Sequence, residues 1–378
     1  MEDNMNRTKN GIIRYILSLC FAMTLAVLLL MLFCMGNTGA AADGLRTDLA
    51  ILDRYDNYIT NSVSQALDGI LVVDRAYWLD DREMVAPEPD PDKFGETQDP
   101  TQLQWLLDEA ESLLKGQDTL FTTQTVIKED SKVKYYLDET IFTVTWKQVI
   151  DNVVYTMSEV KIADPTQFRR FLAGGEYGSG VLYTTTEMAE SVNAVTASSG
   201  DYYSYRQCGI IVNNGQVHRS VGRLTDTCFI DRHGDLQFTM AKEIDGQEAS
   251  EAFVAEHGVR FSLSFGPLMV RNGEVCTPNS YNLGQIDDKY ARAALCQLDK
   301  LHYLLVTVNM ENPYTNTPNI HTFAQQLKDM GIPTAYALDG GQTAVIVTGD
   351  ERMNSVNYGS ERKISDIIYF ATAVPSGT

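Results

Sequence analysis

The chain has 378 residues, and its formal net charge at pH 7 is -20. Apolar residues make up 44% and charged residues 21%, which is ordinary globular composition and excludes a mostly disordered or fibrous protein. Nucleic-acid affinity comes largely from clustered Lys and Arg that neutralise phosphates, so the acidic balance argues against a nucleic-acid partner. These values suit a soluble domain that works outside a cell.

The first element is an apolar run of 21 residues, Tyr15 to Met35, that contains no charge. A helix of this length crosses roughly 30 Å of hydrocarbon. Arg7, Lys9 and Arg14 precede the run, so the positive-inside rule predicts a single-pass protein of the cell membrane, with residues 1–14 cytoplasmic and the rest extracellular. A cleaved signal peptide is the alternative, because small residues of the type that signal peptidase accepts follow the run.

Residues 36–131 are predicted to form a helical stalk and a linker. Apolar residues recur at spacings of three and four from Leu45 to about Leu71, which indicates a helix that packs on its own domain or pairs with a second copy. The segment Leu79 to Pro100 is acidic and rich in proline, so we expect a loop or linker. A second helix is predicted around Leu103 to Leu114.

From Lys132 to the end of the chain, residues 132–378, strands and turns dominate. The stretches "ETIFTVTWKQV" and "NVVYTMSEVKI" are rich in β-branched and aromatic residues, and hairpin signals occur in "VNNGQVHR", "IDRHGDLQF" and "GPLMVRNGEV". A buried strand "HYLLVTVN" precedes a helix near residues 317–331, for which Thr317 is the predicted N-cap. The predicted fold class is α+β: a mixed, largely antiparallel β-sheet core with packed helices, preceded by the transmembrane helix and the stalk.

The cysteines and histidines carry no metal or redox signature. Four cysteines lie beyond the apolar run, which permits one or two disulfides and is equally compatible with buried thiols: Cys208, Cys228, Cys276 and Cys296. No pair has C-x-x-C spacing, and the five histidines show no H-E-x-x-H arrangement. No cofactor is therefore predicted.

The stretch "AYALDGGQTAVIV", Ala335 to Val347, allows two interpretations. Asp-Gly between two β-branched runs is a hairpin signal of type I′. An aspartate at the end of a strand is also held on a rigid element, and adjacent glycines let a ligand approach the backbone. Local pattern alone leaves a simple turn and a catalytic loop both open.

Several blocks in the C-terminal half occur in an order that narrows this choice. They are Asn193 to Val217, the Gly-Pro-Leu hairpin block Ser264 to Val275, the strand block Ala291 to Lys300, and the closing pair Leu338 to Ala344 with Ser360 to Ala371. In this order they resemble the phosphodiester glycosidase family, which includes N-acetylglucosamine-1-phosphodiester α-N-acetylglucosaminidases and bacterial envelope proteins linked to exopolysaccharide biosynthesis. The likeness covers roughly Glu139 to Pro375.

The resemblance implies a membrane-anchored extracellular glycosidase that hydrolyses a sugar-1-phosphodiester in envelope or exopolysaccharide metabolism. Asp339 and Asp201 are the catalytic candidates, because carboxylates stabilise an oxocarbenium-like state. Arg292 and Arg362 are candidates for binding the phosphate, because a guanidinium binds its oxygens in pairs. The remaining substrate-binding candidates are Gly340, Gly341, Gln342, Thr343, Gly200 and Tyr202. The expected partners are a sugar-phosphate or glycan substrate and, through residues 15–35, the membrane.

The sequence departs from the family pattern at Ser199, where many members have asparagine, and at Gln342 and Thr343, where many have glycine and serines. These differences keep a second function open, a non-catalytic glycan-binding or assembly module of the cell envelope. A scaffold that binds partners through its stalk is a third. A divalent cation beside Asp201, Asp339 and the phosphate is compatible with the residue types, but no loop has ordered ligand spacing, so no metal site is predicted.

Overall fold

The computed structural model describes residues 77–114, 118–281, 285–309, 316–356 and 359–376. Residues 77–378 form one compact unit. Within the described ranges, no helix combines the length and apolarity needed to cross a bilayer. The predicted transmembrane segment at residues 15–35 and the predicted stalk helix, Leu45 to Leu71, both lie outside the described residues and stay predictions.

The described part is an α+β structure in which all strand pairs are antiparallel, as the hairpin signals predict. The strands are β1 (Phe94–Thr97), β2 (Val133–Leu137), β3 (Ile141–Ile150), β4 (Val153–Ile162), β5 (Phe168–Leu172), β6 (Thr196–Ser199), β7 (Gly209–Asn213), β8 (Gln216–Val221), β9 (Thr227–Asp231), β10 (Leu236–Thr239), β11 (Val259–Leu263), β12 (Leu268–Arg271), β13 (Glu274–Val275), β14 (Arg292–Asp299), β15 (His302–Asn309), β16 (Thr334–Leu338), β17 (Ile346–Thr348), β18 (Glu351–Arg352) and β19 (Asp366–Phe370). The helices are α1 (Pro100–Leu113), α2 (Thr185–Ser191), α3 (Gln247–His257) and α4 (Ile320–Asp329).

The largest sheet has nine strands in the order β1-β2-β3-β4-β15-β14-β16-β12-β13. Successive side chains of a strand point to opposite faces, and in β15 this places Leu304 and Val306 in one apolar core and Tyr303 and Leu305 in another. The first core is shared with α1 and α4, whose buried residues pack there. The sheet is therefore covered on both faces.

The second core joins the nine-stranded sheet to smaller sheets. A five-stranded sheet has the order β18-β17-β6-β19-β5, and a three-stranded sheet has the order β10-β9-β11. Val195 before β6, Ile368 of β19 and Phe261 of β11 pack in the same cluster as Leu295 of β14. The ends of strands from three sheets thus meet at the edge of this core.

Two of the predicted hairpins have the backbone conformation that their Asn-Gly turns require. Asn214 and Gly215 join β7 to β8 with φ of 49° and 74°, and Asn272 and Gly273 join β12 to β13 with φ of 52° and 75°. Both residues of a type I′ turn take positive φ, which asparagine and glycine tolerate. The Asn-Gly hairpin predictions are confirmed.

The hairpin interpretation of Ala335 to Val347 is wrong. β16 belongs to the nine-stranded sheet and β17 to the five-stranded sheet, and the two strands do not pair. The chain between them passes through a 3₁₀ turn, Gly341–Thr343, in which the Thr343 hydroxyl donates to the Gly340 carbonyl over 2.7 Å. The Asp-Gly-Gly segment therefore connects strands of two different sheets and does not form a hairpin turn.

Two further predictions differ from the structure. The acidic segment Leu79 to Pro100 contains β1, which pairs antiparallel with β2, so it is not entirely a loop or linker. Its first part is bound to the domain, since the Tyr369 hydroxyl donates to the Met84 carbonyl. The N-cap of α4 is Asn319 rather than Thr317, because the Asn319 side chain accepts from the Thr322 N–H over 2.8 Å.

The four cysteines beyond the apolar run are free thiols, which selects the buried-thiol alternative. Cys208, Cys228 and Cys296 are buried, and Cys276 is half-buried. Burial raises the pKa of the Cys276 thiol, so the most accessible of the four is also held in its neutral form.

Candidate active site

Asp339 and the Gly200–Asp201 step lie side by side where β16 and β6 end. The Ser199 hydroxyl donates to the Asp339 carbonyl over 3.0 Å, and the Asp339 N–H donates to the Gly200 carbonyl at 3.3 Å. Residues more than one hundred positions apart in sequence are therefore joined by backbone and hydroxyl hydrogen bonds. Ser199, one of the departures from the family pattern, supports Asp339 directly.

The Asp339 side chain is buried and forms an ion pair with Arg362. Its Oδ2 atom accepts from Arg362 Nη2 over 2.6 Å. Burial raises the pKa of the Asp339 carboxyl to about 6, while Arg362 and, more weakly, Arg206 act in the opposite direction. Desolvation outweighs the two cations, so this carboxyl titrates close to neutral pH, as catalytic carboxyl groups do.

Asp201 is also buried, but its carboxylate is bound by the backbone. One oxygen accepts from the Tyr202 N–H over 2.6 Å and the other from the Ser264 N–H over 2.7 Å. The Asp201 N–H in turn donates to both carboxylate oxygens of Asp366, at 3.1 and 3.2 Å. This places Asp201 in the same cluster as Asp339 and fixes it in one orientation.

A buried ion pair contacts this turn, and no sequence pattern predicts it. Asp366 begins β19, and its carboxylate accepts from Arg170 Nε of β5 over 2.8 Å, with both side chains fully buried. A Cβ atom on Gly200 would lie only 2.4 Å from Asp366 Oδ2, so the close approach needs glycine. Burial raises the pKa of Asp366 and Arg170 opposes that change.

Tyr202 connects Arg362 to a second arginine, Arg206, which the sequence reading missed. The guanidinium carbons of both arginines lie 5.2 Å from the centroid of the Tyr202 ring. Tyr205 stacks on Tyr202 with centroids 4.6 Å apart and an angle of 18° between the planes. Arginine next to a Tyr-rich segment, "DYYSYR", is the signal that was available in the sequence, since guanidinium groups stack on aromatic faces.

The glycines after Asp339 permit a close approach of the chain to β14. The Gly341 N–H donates to the Ala291 carbonyl over 2.9 Å, and a Cβ atom on Gly340 would lie 2.5 Å from the same oxygen. The Gly341 N–H is therefore already bound, which removes it from the donors available to a phosphate. Thr343 is buried and bonded to Gly340, and the Gln342 carbonyl accepts from the Arg362 N–H at 3.4 Å.

Arg292 is directed away from this cluster. Its Nη2 atom donates to the carbonyls of Gln285 and Asp288 over 2.7 and 2.6 Å, and its Nε donates to the Pro318 carbonyl at 3.5 Å. Burial lowers the pKa of Arg292 to about 10. The guanidinium thus holds together the loop segments around it, while only its backbone lies near Gly340.

Two cavities lie outside this cluster. Both adjoin Asp118 and Thr119, and none of the predicted site residues lines them. Among the described residues, no group of three His, Cys, Asp or Glu side chains is arranged to hold a metal ion. The candidate site therefore consists of a buried carboxyl, two guanidinium groups and a tyrosine stack.

Comparison with solved structures finds proteins of low sequence identity. The zebrafish N-acetylglucosamine-1-phosphodiester alpha-N-acetylglucosaminidase catalytic domain is 18% identical, with 61% of this chain and 82% of that chain covered and a TM-score of 0.49. A hypothetical protein from Synechocystis is 13% identical, with 64% of each chain covered and a TM-score of 0.45. An exported protein from Burkholderia pseudomallei is 13% identical, with 58% and 74% covered and a TM-score of 0.41.

Comparison with the curated proteins finds no match. The family model described as phosphodiester glycosidase matches residues 191–371. This range contains the blocks that carry the resemblance in the sequence, together with Asp201, Asp339, Arg206 and Arg362. It is also the range that contributes β6, β16 and β19 to the cluster described above. Residues 191–371 of this chain are therefore similar to the phosphodiester glycosidase family.

Proposed function

We propose that the chain is a glycosidase that hydrolyses a sugar-1-phosphodiester, with Asp339 as the catalytic carboxylate. The observation that carries the proposal is the 2.6 Å ion pair between the buried Asp339 and the partly exposed Arg362, both within the residues that match the phosphodiester glycosidase model. In the proposal, the negative group acts on the sugar and the positive group acts on the phosphate. The raised pKa of Asp339, about 6, leaves the carboxyl mostly ionised at neutral pH.

In the proposed reaction, the bond between the anomeric carbon and the phosphate oxygen breaks, and its electron pair leaves with the phosphate. Water supplies the new oxygen at the anomeric carbon. The Asp339 carboxylate stabilises the positive charge that develops on the sugar ring. Arg362 stabilises the departing phosphate, which is a weak base and needs cations more than it needs a general acid. Asp201 orients the turn and is the second carboxylate of the site.

The setting of this reaction is proposed from the sequence. The apolar run at residues 15–35 would hold the chain in the cell membrane with the domain outside, where exopolysaccharide and other envelope glycans are the available sugar-phosphate substrates. A GlcNAc-1-phosphodiester fits the family. The test of this setting is separate from the test of the chemistry: protease added to intact cells should remove the domain only if it faces outward.

The chemistry is tested by incubating the purified full chain with sugar-1-phosphodiesters, including a nucleotide sugar, and measuring released sugar. Wild type should release sugar, and Asp339→Asn should lose at least about 100-fold of that rate, because it removes the stabilising charge. Asp350→Asn is the matched control, since Asp350 is 97% exposed in its side chain and should change nothing. Release that survives Asp339→Asn removes that residue from catalysis.

Absence of release from every donor would favour the non-catalytic glycan-binding or assembly module. The solvent-facing Tyr202 and Tyr205 stack is the observation that favours this alternative, because aromatic rings are the usual platforms for sugars. In that case Tyr205→Ala should weaken glycan binding, while Asp339→Asn should leave it intact.

A further inference from the structure

Arg206 presents half of its guanidinium group without a protein partner. Its Nη1 atom donates to the carbonyls of Ser264 and Phe265, at 3.2 and 3.3 Å. Its Nε and Nη2 atoms are buried and find no hydrogen-bond partner among the described residues. The Nε atom of Arg362 is also buried without a hydrogen-bond partner among the described residues. Buried donors are almost always paired, so three unpaired donors on two neighbouring cations need an explanation.

The geometry of the unpaired atoms is specific. The Nε and Nη2 atoms form one edge of the planar guanidinium, and this edge matches two oxygens of a phosphate or carboxylate. Because Nη1 is bound to two backbone carbonyls, the plane of Arg206 is fixed and the free edge has a fixed direction. No ion pair of Arg206 with a carboxylate occurs within the part of the chain that the structure describes.

Arg206 also shares an aromatic neighbour with the arginine that binds the candidate catalytic carboxyl. Arg206 and Arg362 approach the same Tyr202 ring at the same distance, 5.2 Å, and Arg362 is bonded to Asp339. The charge of Arg206 acts on the Asp339 carboxyl. Arg206 therefore belongs to the same site, although it forms no hydrogen bond with Asp339 among the described contacts.

We propose that the Nε and Nη2 edge of Arg206 binds the phosphate group of the substrate, with Nε of Arg362 as a third donor. The ligand class, a phosphodiester or the phosphate monoester that it releases, rests on the proposed function. Asp339 then faces the sugar, and the two arginines face the phosphate. Arg206 takes the place that the sequence pattern assigned to Arg292, whose Nε and Nη2 atoms already donate to loop carbonyls.

Entry of the phosphate requires a small movement of the aromatic residues. The centroids of the Tyr202 and Phe265 rings lie 5.2 and 4.7 Å from the guanidinium carbon of Arg206, whose Nε and Nη2 atoms are buried. Tyr202 stacks on Tyr205, a residue that is 44% exposed. When phosphate binds, the Tyr202 and Tyr205 stack moves aside. Binding should therefore change the near-ultraviolet absorbance of tyrosine.

The test measures equilibrium binding of inorganic phosphate to the purified full chain by calorimetry at constant ionic strength. Arg206→Met should weaken phosphate binding at least ~10-fold, because it removes a bidentate charge-assisted contact. Arg206→Lys should show an intermediate loss, because lysine keeps the charge and lacks the fork. Arg223→Met is the matched control, since Arg223 is 65% exposed and should leave binding unchanged. Thermal unfolding of each variant identifies any that fails to fold, and Arg206→Lys then carries the test.

Two results of the binding experiment overturn the inference: wild type that binds no phosphate at millimolar concentration, or folded Arg206→Met and Arg206→Lys that bind it as wild type does. The proposed function fails separately. If no sugar is released from any phosphodiester while phosphate binding still depends on Arg206, the anion site stands and the glycosidase does not. If sugar is released equally well by wild type and both Arg206 variants, the glycosidase stands and the assignment of Arg206 is wrong.

Discussion

At the scale of single residues, the charge next to Asp339 controls when its carboxyl ionises. Burial raises the pKa of Asp339 to about 6, and Arg362 is the strongest influence in the opposite direction. Removing Arg362 should therefore raise the pKa of Asp339 further, because less charge then opposes the effect of burial. The residue that binds the phosphate in the proposal is thus also the one that keeps the catalytic carboxyl ionised near neutral pH.

Arg362→Gln should move the acid limb of the pH dependence of kcat/KM upward by about one pH unit. The carboxylate is the active form in the proposed reaction, so activity falls below the pKa of Asp339, and a higher pKa means an earlier loss as pH decreases. The measurement is kcat/KM for a sugar-1-phosphodiester between pH 4 and 8. Arg223→Gln is the control, and an acid limb that stays at its wild-type position would contradict the assignment.

The same raised pKa makes Asp339 a source of instability at neutral pH. The folded carboxyl titrates at about 6 and the ordinary value is 3.8, so between these values the folded state holds more protons than the unfolded state. Stability therefore falls as pH rises through this window and stays lower above it. Asparagine does not ionise, so Asp339→Asn should not lose stability in this way.

We expect Asp339→Asn to be more stable than wild type by about 1 to 3 kcal/mol at pH 7.5 and to show no such gain near pH 4. Urea unfolding at the two pH values measures the difference, with Asp350→Asn as the exposed control. Equal stability of Asp339→Asn and wild type at both pH values would show that burial does not raise the pKa of this carboxyl.

At the scale of elements, β5 and β19 place a buried charge pair beneath the turn that carries Asp201. Arg170 and Asp366 lie on paired strands, and their side chains form a 2.8 Å ion pair that is fully buried. Arg170 Nη1 also donates to the Ser262 carbonyl of β11. The pair therefore connects three elements whose ends meet at the site.

Arg170→Met should destabilise the fold by about 3 to 5 kcal/mol, because it leaves the Asp366 carboxylate buried without its cation. The double variant Arg170→Met/Asp366→Leu should recover part of this loss, since it removes both charges. Urea unfolding at pH 7 gives both values, with Arg223→Met as the exposed control. If the double variant is no more stable than Arg170→Met, the unpaired carboxylate is not the cause of the loss.

The elements that local pattern specifies were predictable from the sequence. The mostly apolar run "HYLLVTVN" predicts the buried strand β15, and Asn-Gly pairs predict two hairpins, because each depends on a few neighbouring residues. The Asp-Gly pair at Asp339 gave a wrong hairpin. Its strands lie in different sheets, and what holds the turn is the Ala291 carbonyl, which is distant in sequence.

At the scale of the whole molecule, the site is a product of how the sheets meet. Asp339 ends a strand of the nine-stranded sheet, and Asp201 follows a strand of the five-stranded sheet. The shared order of motifs brought Asp201, Asp339, Tyr202 and Arg362 into the predicted site. Arg206 and Asp366 were missed because their roles depend on unpaired or buried atoms, which only the packing reveals. The assignment of Arg292 to the phosphate stays a prediction, and the sequence could not show that its Nε and Nη2 atoms donate to loop carbonyls.

In the proposed reaction, the bond between sugar and phosphate breaks on the sugar side. Isotope labelling distinguishes this reaction from attack at phosphorus. The full chain is incubated with a sugar-1-phosphodiester in water enriched in ¹⁸O, and the products are analysed by mass spectrometry. A glycosidase places the label on the anomeric carbon of the free sugar and leaves the phosphate unlabelled, and Asp339→Asn should form neither product. Label in the phosphate would show attack at phosphorus, and would contradict the glycosidase and the role given to Asp339.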